Sequence, residues 1–211
     1  MNHSAIYFST AYLPPVSYYA ALVKAEKVFL EYHENYTKQS YRNRCHIAAA
    51  NGLMALSIPV EKPGKEKILT RDIRISEHGD WQTQHWRSIS SAYNSSPFFE
   101  YYQDDFQPFF ENKWDFLWDY NLELLNLTFK LLDISPEINL TSKFLTNLEK
   151  VTDLRDKIHP KKECIIECEE YFQVFENKFS FIPDLSIIDL LFNMGNEAVL
   201  ILQKMSTDKP I

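Results

Sequence analysis

The sequence predicts one domain of the α/β or α+β class over residues 1–211, and three observations support it. A strand–helix–strand pattern opens the chain, an Asn-Gly pair then marks a β-hairpin, and helical spacing of apolar residues begins at Trp81. With 211 residues, 45% of them hydrophobic, the chain can bury a sizeable core. We therefore expect a small mixed β-sheet in the N-terminal half, helices packed on it, and a mostly helical second half.

The opening pattern consists of two short β-runs, Ala5 to Phe8 and Val28 to Tyr32, around a helix from Val16 to Ala25. Pro14 and Pro15 end the first strand and preset the first helical turn, where a missing N–H costs little. This order of elements favours two parallel strands that are joined by a crossover helix.

The hairpin is predicted from Asn51-Gly52, which lies between His46 to Ala50 and Leu53 to Val60. A type I′ turn needs positive φ at both of its central residues, and Asn-Gly supplies it. A further short strand is expected around Ile73 to Ser76.

Helical spacing covers Trp81 to Tyr93 and Trp114 to Leu132. Between them, Phe98 to Phe110 is rich in aromatic residues and is interpreted as a connector that supplies packing. Residues 136–170 are polar, and we expect a mobile loop there.

The C-terminal part is predicted to add a strand and two helices. Tyr171 to Phe175 favours the strand, and Ser186-x-x-Asp189 is typical of a capping box at a helix start. Gly195 is expected to end that helix, and a last helix covers about Glu197 to Met205.

Composition excludes several function classes. The 4 glycines stand far apart, so the glycine-rich loops of dinucleotide enzymes and P-loop NTPases and the G-x-S-x-G elbow of α/β-hydrolases cannot be written. A formal charge of −7 argues against nucleic-acid binding. The apolar runs are too short for a membrane span, and the start, Met1-Asn2-His3-Ser4, lacks a secretory pattern. We expect a cytoplasmic protein without a membrane span.

The cysteines Cys45, Cys164 and Cys168 are interpreted as free thiols. Cys164 and Cys168, with His159 before them, would make a partial zinc site if they shared a helix face, but a fourth ligand at recognised spacing is missing. Two small buried thiols are the preferred interpretation. No metal site is assigned, and no cofactor is identified.

The densest polar segment runs from His33 to Arg44, directly after the second strand, where α/β sheets bind ligands. Lys38, Arg42 and Arg44 are candidates to bind an anion, because arginine matches phosphate or carboxylate and lysine adds a mobile charge. The alternative is a solvated charged loop before the hairpin.

Two histidines are candidates for a general base. The pKa of a histidine is ordinarily near neutrality, and in His33 a neighbouring Glu34 would orient the ring. His85 lies on the predicted helix beside Trp86 and one turn from Trp81, where it would face a pocket. A surface position for His33 and a hydrogen-bonded core position for His85 are the alternatives.

The order of several motifs resembles the WbqC-like family over nearly the whole chain. These motifs are Tyr12-Leu13-Pro14, Tyr18-Tyr19, Tyr41-Arg42-Asn43-Arg44, Leu56-Ser57-Ile58-Pro59-Val60, His85-Trp86 and Phe181 to Asn193. By that resemblance Lys38, Asn43 and Arg44 match a K-x4-N-R motif, and Ser186 and Asp189 match a late S-x-x-D. Ser9-Thr10-Ala11 departs from the Gln-Pro pair that many members carry.

The resemblance implies a bacterial protein of surface-polysaccharide or O-antigen biosynthesis and suggests glycine transfer. We therefore expect a cytoplasmic transferase with a small anionic substrate, bound by Lys38, Arg42 and Arg44 together with Tyr41, Asn43, Ser186 and Asp189. His33 or His85 would take the proton of the acceptor. One alternative is a non-catalytic scaffold for biosynthetic enzymes. Another is a hydrolase that uses Cys45 or a serine as nucleophile.

Overall fold

The computed structural model describes residues 5–61, 64, 67–146 and 151–205 and confirms the α/β class. The strands are β1 (Ile6–Phe8), β2 (Val28–Leu30), β3 (Arg44–Ala49), β4 (Gly52–Ser57), β5 (Ile138–Leu140) and β6 (Thr152–Asp153). The helices are α1 (Val16–Leu22), α2 (Trp81–Tyr93), α3 (Phe99–Glu111), α4 (Leu117–Leu131), α5 (Glu176–Phe179), α6 (Ile187–Met194) and α7 (Ala198–Lys204).

The central sheet has four strands in the order β5-β2-β1-β6, and every pair is parallel. Ile6 pairs with Val28 and Phe8 with Leu30, so the opening strand–helix–strand unit is parallel, as expected. Both outer strands come from residues 136–170, where we expected a loop. Strands of three and two residues are too short to show a period of two in the sequence.

The hairpin β3–β4 forms a separate antiparallel sheet rather than part of one mixed sheet. Ala49 pairs with Gly52, which makes Ala50 and Asn51 the turn and places it one residue before the predicted pair. Asn51 does not have positive φ, whereas Gly52 does, at 99°. The predicted type I′ turn at Asn51-Gly52 is therefore wrong, because only the glycine of the pair has positive φ.

The two helices with clear helical spacing, α2 and α4, are present as predicted. The expected aromatic connector is instead helix α3, whose buried residues follow helical spacing: Phe99, Tyr102, Phe106 and Phe110. These aromatic residues therefore supply packing, as inferred, but they do so from a helix and not from a connector. Pro108 lies in the last turn of α3, where it removes one backbone hydrogen bond and leaves the first two turns intact.

Two of the predicted strands are absent from the described chain. Near Ile73 to Ser76 only isolated bridges form, between Val60 and Ile75 and between Arg74 and Phe116. Tyr171 to Phe175 forms no strand, and within it Tyr171 and Gln173 are buried whereas Phe172 is exposed.

Helix α6 packs deep in the core, and Gly195 ends it with φ of 54°, as expected. Its residues from Ile187 to Asn193 are all buried. Among the helices in the described ranges, none has the length and apolar character that crossing a bilayer requires.

Candidate functional site

Polar residues follow all four strands of the central sheet where the strands end. Ser9 follows β1, Glu31 follows β2, Thr141 follows β5, and Arg155 comes two residues after β6. Because the strands are parallel, these residues meet at one edge of the sheet. In open α/β sheets this edge is where ligands bind.

Glu31 joins three of these strands through its carboxylate. Oε2 accepts a hydrogen bond of 2.8 Å from Nη1 of Arg155, and Oε1 accepts one of 2.6 Å from the Thr141 hydroxyl. The backbone N–H of His33 also donates to Oε1, at 2.9 Å. Arg155 in turn binds Asp153 through Nε and Nη2. Glu31 is completely buried, so these partners replace the water that its charge would otherwise bind.

Next to it lies a buried cluster of Ser9, Glu34 and Arg42. Arg42 donates from Nε to Oε1 of Glu34 at 2.9 Å and from Nη2 to Oε2 at 2.5 Å, which is a bidentate pair. Nη2 also donates to the Ser9 hydroxyl at 2.8 Å, and that hydroxyl lies 2.7 Å from Oε2 of Glu34. Burial raises the pKa of Glu34, while Arg42 opposes the rise.

A small pocket opens beside this cluster. Ser9, Thr10, Tyr41, Arg42 and Arg155 contribute to its lining. Its volume is about 10 Å³, which is room for about one water molecule. The pocket therefore offers hydroxyl and guanidinium groups to a small chemical group.

The two polar segments singled out in the sequence meet at this edge. The ammonium group of Lys161 donates to the side-chain oxygen of Gln39. Nη2 of Arg42 lies 3.8 Å from the exposed carboxylate of Asp156. The segment after β6 therefore lies against the segment after β2, although more than 100 residues separate them in the chain.

The three predicted anion-binding cations occupy different environments. Arg42 is buried and lines the pocket, whereas Lys38 is exposed and Arg44 is half-buried, and neither of these belongs to the lining. The structure does not join them into one clamp around this pocket, because Arg42 turns inward to Glu34. Within the described chain, Nε of Arg44 is buried without a hydrogen-bond partner.

Tyr41 and Asn43 also occupy different environments. Tyr41 lines the pocket, and its backbone oxygen accepts a hydrogen bond from Tyr12 at 2.8 Å. The Asn43 side chain donates to the backbone oxygen of Ile58 at 2.9 Å and the Ile58 N–H returns a bond to Asn43. Asn43 thus fixes the chain beyond the hairpin rather than facing the pocket.

His85 lies in an aromatic cluster and not at the pocket. Its Nδ1 is 2.9 Å from the Tyr12 hydroxyl, and the Trp81 ring packs edge-on against it. Burial lowers the pKa of His85 to about 4, so the ring is neutral at neutral pH. This geometry is the hydrogen-bonded core position that the sequence analysis gave as the alternative for His85.

His33 is half-buried next to the cluster. Its Nδ1 lies 3.2 Å from Nη1 of Arg71, and its ring packs edge-on against Tyr32. Arg71 also stacks over the Tyr32 ring, at 4.5 Å from its centre. His33 is not among the residues that line the pocket. Its neighbour Glu34, expected to orient the ring, instead binds Arg42.

The predicted capping box at α6 is wrong. The Ser186 hydroxyl donates to the backbone oxygen of Leu13 at 2.9 Å, and Asp189 points into the core. There the carboxylate of Asp189 accepts hydrogen bonds from the hydroxyls of Tyr93 and Tyr171 and from the Gln173 amide. Burial raises the pKa of Asp189 to about 6. Both residues connect core elements and lie away from the pocket.

Sequence reasoning missed Ser9, Glu31, Thr141 and Arg155 as members of the site. One signal was available, because Glu31 lies near the end of the run from Val28 to Tyr32 that was predicted as a strand, and a charged residue is unusual in such an apolar run. Arg155 gave none, since nothing marked β6 as a strand.

Comparisons with known proteins place the chain in a family. Residues 10–165 match the model of the WbqC-like protein family, which is more than half of the chain. The chain is also 24% identical over 213 residues to the uncharacterized protein Rv1507c of Mycobacterium tuberculosis, covering 89% of this chain and 92% of that one. No solved structure matches significantly. The protein belongs to the WbqC-like protein family.

Proposed function

We propose that the protein is a cytoplasmic transferase of bacterial surface-polysaccharide biosynthesis, with its substrate bound at the carboxyl edge of the parallel sheet. The observation that carries the proposal is the Ser9–Glu34–Arg42 cluster, buried beside a pocket at that edge. The polysaccharide pathway rests on the family resemblance. The position and chemistry of the cluster support the reaction class.

Arg42 is the group that binds the carboxylate or phosphate of the substrate. Glu34 accepts hydrogen bonds from Nε and Nη2 of Arg42. Among the described residues, none accepts a hydrogen bond from Nη1. A bound anion would take that position, and Thr10 lines the same pocket. Charge-assisted bonds of this kind are the stronger ones in proteins.

Ser9 and Glu34 together handle the proton of the acceptor. As the acceptor hydroxyl or amine bonds to the donor carbon, its proton passes to Oγ of Ser9, and Ser9 gives its own proton to Oε2 of Glu34, 2.7 Å away. The leaving group of the donor departs with its bonding electron pair. A carboxylate whose pKa is raised by burial is a better base near neutral pH than an exposed one.

The size and charge of the site favour a small transferred group. A pocket with room for about one water molecule suits the end of an amino acid better than a whole sugar nucleotide. Carboxylates outnumber guanidinium groups at this edge, with Glu31, Glu34 and Asp153 against Arg42 and Arg155. A substrate with both an ammonium and a carboxylate matches that balance, which supports glycine or another aminoacyl group.

A ligand screen by thermal shift tests the proposal. Aminoacyl donors, free glycine, nucleotide sugars and coenzyme A are added to the wild type, and the rise in melting temperature is measured. We expect at least one aminoacyl or phosphate-bearing compound to stabilise it. In Arg42→Lys, which keeps the charge but loses the planar fork, that rise should vanish.

The matched control is Arg87→Lys, because Arg87 is an exposed arginine on α2, outside the cluster. It should keep the full ligand-induced rise. If no compound stabilises the wild type, or if Arg42→Lys responds as the wild type does, the transferase proposal fails. In that case the non-catalytic scaffold becomes the better hypothesis.

A further inference from the structure

A second cluster of reactive side chains lies apart from the proposed transferase site. The thiol sulfurs of Cys164 and Cys168 are 4.0 Å apart, and a carboxylate oxygen of Asp184 lies within 4.8 Å of both. All three residues are half-buried, and the thiols are free. His159, which the sequence placed beside the cysteines, is not part of the group.

We propose that Cys164, Cys168 and Asp184 bind a thiophilic divalent cation of the Zn²⁺ type. Thiolate and carboxylate are both zinc ligands, and tetrahedral bonds of about 2.3 Å place two sulfurs about 3.8 Å apart. The sulfur–sulfur distance of 4.0 Å is close to that spacing and far from a covalent S–S bond. Three protein ligands leave the fourth position of the cation to water.

The Asp184 ligand is held in place by the fold. Its Oδ1 accepts a hydrogen bond of 2.9 Å from the backbone N–H of Ser17, in the first turn of α1. Its backbone is in the left-handed region, with φ of 56°. An aspartate held in this way costs less entropy to bring to a metal than a free side chain.

An acidic pocket beside Cys168 supports a cation over other ligands. Cys168 lines an open pocket of about 390 Å³ together with Glu167, Glu169, Glu170 and Lys204. Three carboxylates against one ammonium attract a divalent cation toward the thiols.

A bound cation would join two separate parts of the chain. The residues around Asp184 hold the starts of α1 and α6, since Leu185 accepts a hydrogen bond from Val16 and Pro14 accepts one from Ile187. The cation would fasten the segment with the two cysteines to this junction. We therefore expect metal binding to raise the melting temperature.

The test is a titration of the reduced, full-length protein with Co²⁺, followed by absorbance. Thiolate ligation gives a sulfur-to-cobalt charge-transfer band in the near ultraviolet. We expect that band to saturate at one Co²⁺ per chain and to disappear when Zn²⁺ is added. The melting temperature should rise with Zn²⁺.

Variants then assign the ligands. Cys164→Ser and Cys168→Ser should each lose the band, and Asp184→Asn should weaken Zn²⁺ binding by at least about 100-fold, more than the loss of an outer-shell partner. Cys45→Ala and Glu100→Gln are the matched controls and should keep both the band and the Zn²⁺ affinity. Cys45 is a cysteine buried in the core, and Glu100 is an exposed carboxylate on α3, outside the pocket beside Cys168.

Two results would overturn the proposal. One is the absence of the charge-transfer band in the reduced wild type. This result overturns the proposal whether or not the protein forms a Cys164–Cys168 disulfide on air oxidation. The other is a band that persists undiminished in either cysteine variant. Neither result depends on transferase activity.

Discussion

At the scale of single residues, the bidentate pair of Glu34 and Arg42 governs stability at the proposed site. Both side chains are almost fully buried, so Glu34→Gln leaves the Arg42 charge without its main partner. Removing one partner of a buried pair costs about 3–5 kcal/mol. We expect the free energy of unfolding, measured with urea, to fall by that amount.

Glu77→Gln is the control for this prediction, because Glu77 and Lys113 form an ion pair that is exposed on both sides. It should leave the free energy of unfolding unchanged within error. Equal stability of Glu34→Gln and the wild type would mean that Arg42 does not depend on Glu34.

His85 should remain neutral across the physiological range. Burial lowers its pKa from 6.5 to about 4, so in the folded protein its ring signals in NMR should move only near that lower pH. Below pH 6.5 the unfolded chain binds a proton at this histidine and the folded chain does not. The contribution of His85 to the free energy of unfolding therefore falls as the pH drops below 6.5. A ring that titrates near 6.5 in the folded protein would contradict the buried contact with Tyr12.

Asp189 should make the protein less stable as the pH rises. Its folded pKa of about 6 lies above the ordinary 3.8, so the folded state holds more protons between these values. The contribution is complete below about pH 4 and is lost as the pH passes 6. Between pH 4 and 7 the wild type should lose about 3 kcal/mol relative to Asp189→Asn in urea unfolding. A constant difference between the two proteins would refute the shift.

At the scale of elements, Gly195 shows why α6 ends where it does. Its φ of 54° is in the left-handed region, and a Cβ there would lie 2.7 Å from the Phe98 ring. Gly195→Ala should therefore lower the free energy of unfolding by at least about 2 kcal/mol, from strain and overpacking together.

Gly79→Ala separates these two causes. Gly79 also has positive φ, at 79°, but a Cβ there meets nothing within 4 Å. It should cost less than Gly195→Ala in the same measurement. Equal losses would assign the whole effect to backbone strain and none to Phe98.

The elements that the sequence predicted are those with a clear period or a proline or glycine at the boundary. α2 and α4 repeat apolar residues over thirteen and fifteen residues, which is long enough to show a helix. β5 and β6 have three and two residues, and their pairing partners β2 and β1 lie more than 100 residues away in sequence. Their existence depends on tertiary contacts that no local pattern records.

The residues of the candidate site were likewise predictable only where a local pattern marks them. Arg42 lies in the segment after β2 that the sequence identified, because clustered charges after a strand are visible locally. Its partner Ser9 is 33 residues away, and Glu31 meets Arg155 across 124 residues. The sequence therefore indicated the segment that carries Arg42 but could not show that Arg42 pairs with Glu34 instead of joining Lys38 and Arg44.

At the scale of the whole molecule, the fold brings both charged segments to one edge of one sheet. The segment after β2 supplies Glu31, Glu34 and Arg42, and the segment after β6 supplies Arg155 and Asp156. Helices α2 to α4 carry much of the aromatic core. A substrate at this edge would contact residues from distant parts of the chain, which a local binding loop would not require.

Amide chemical-shift mapping by NMR tests this account most directly, with the compound that most stabilises the wild type in the thermal-shift screen. The account predicts that the largest changes on titration fall at Ser9, Thr10, Leu154 and Arg155, the residues that line the pocket. Changes confined to the β3–β4 hairpin, or to the distant pocket beside Tyr101 and Lys130, would contradict it.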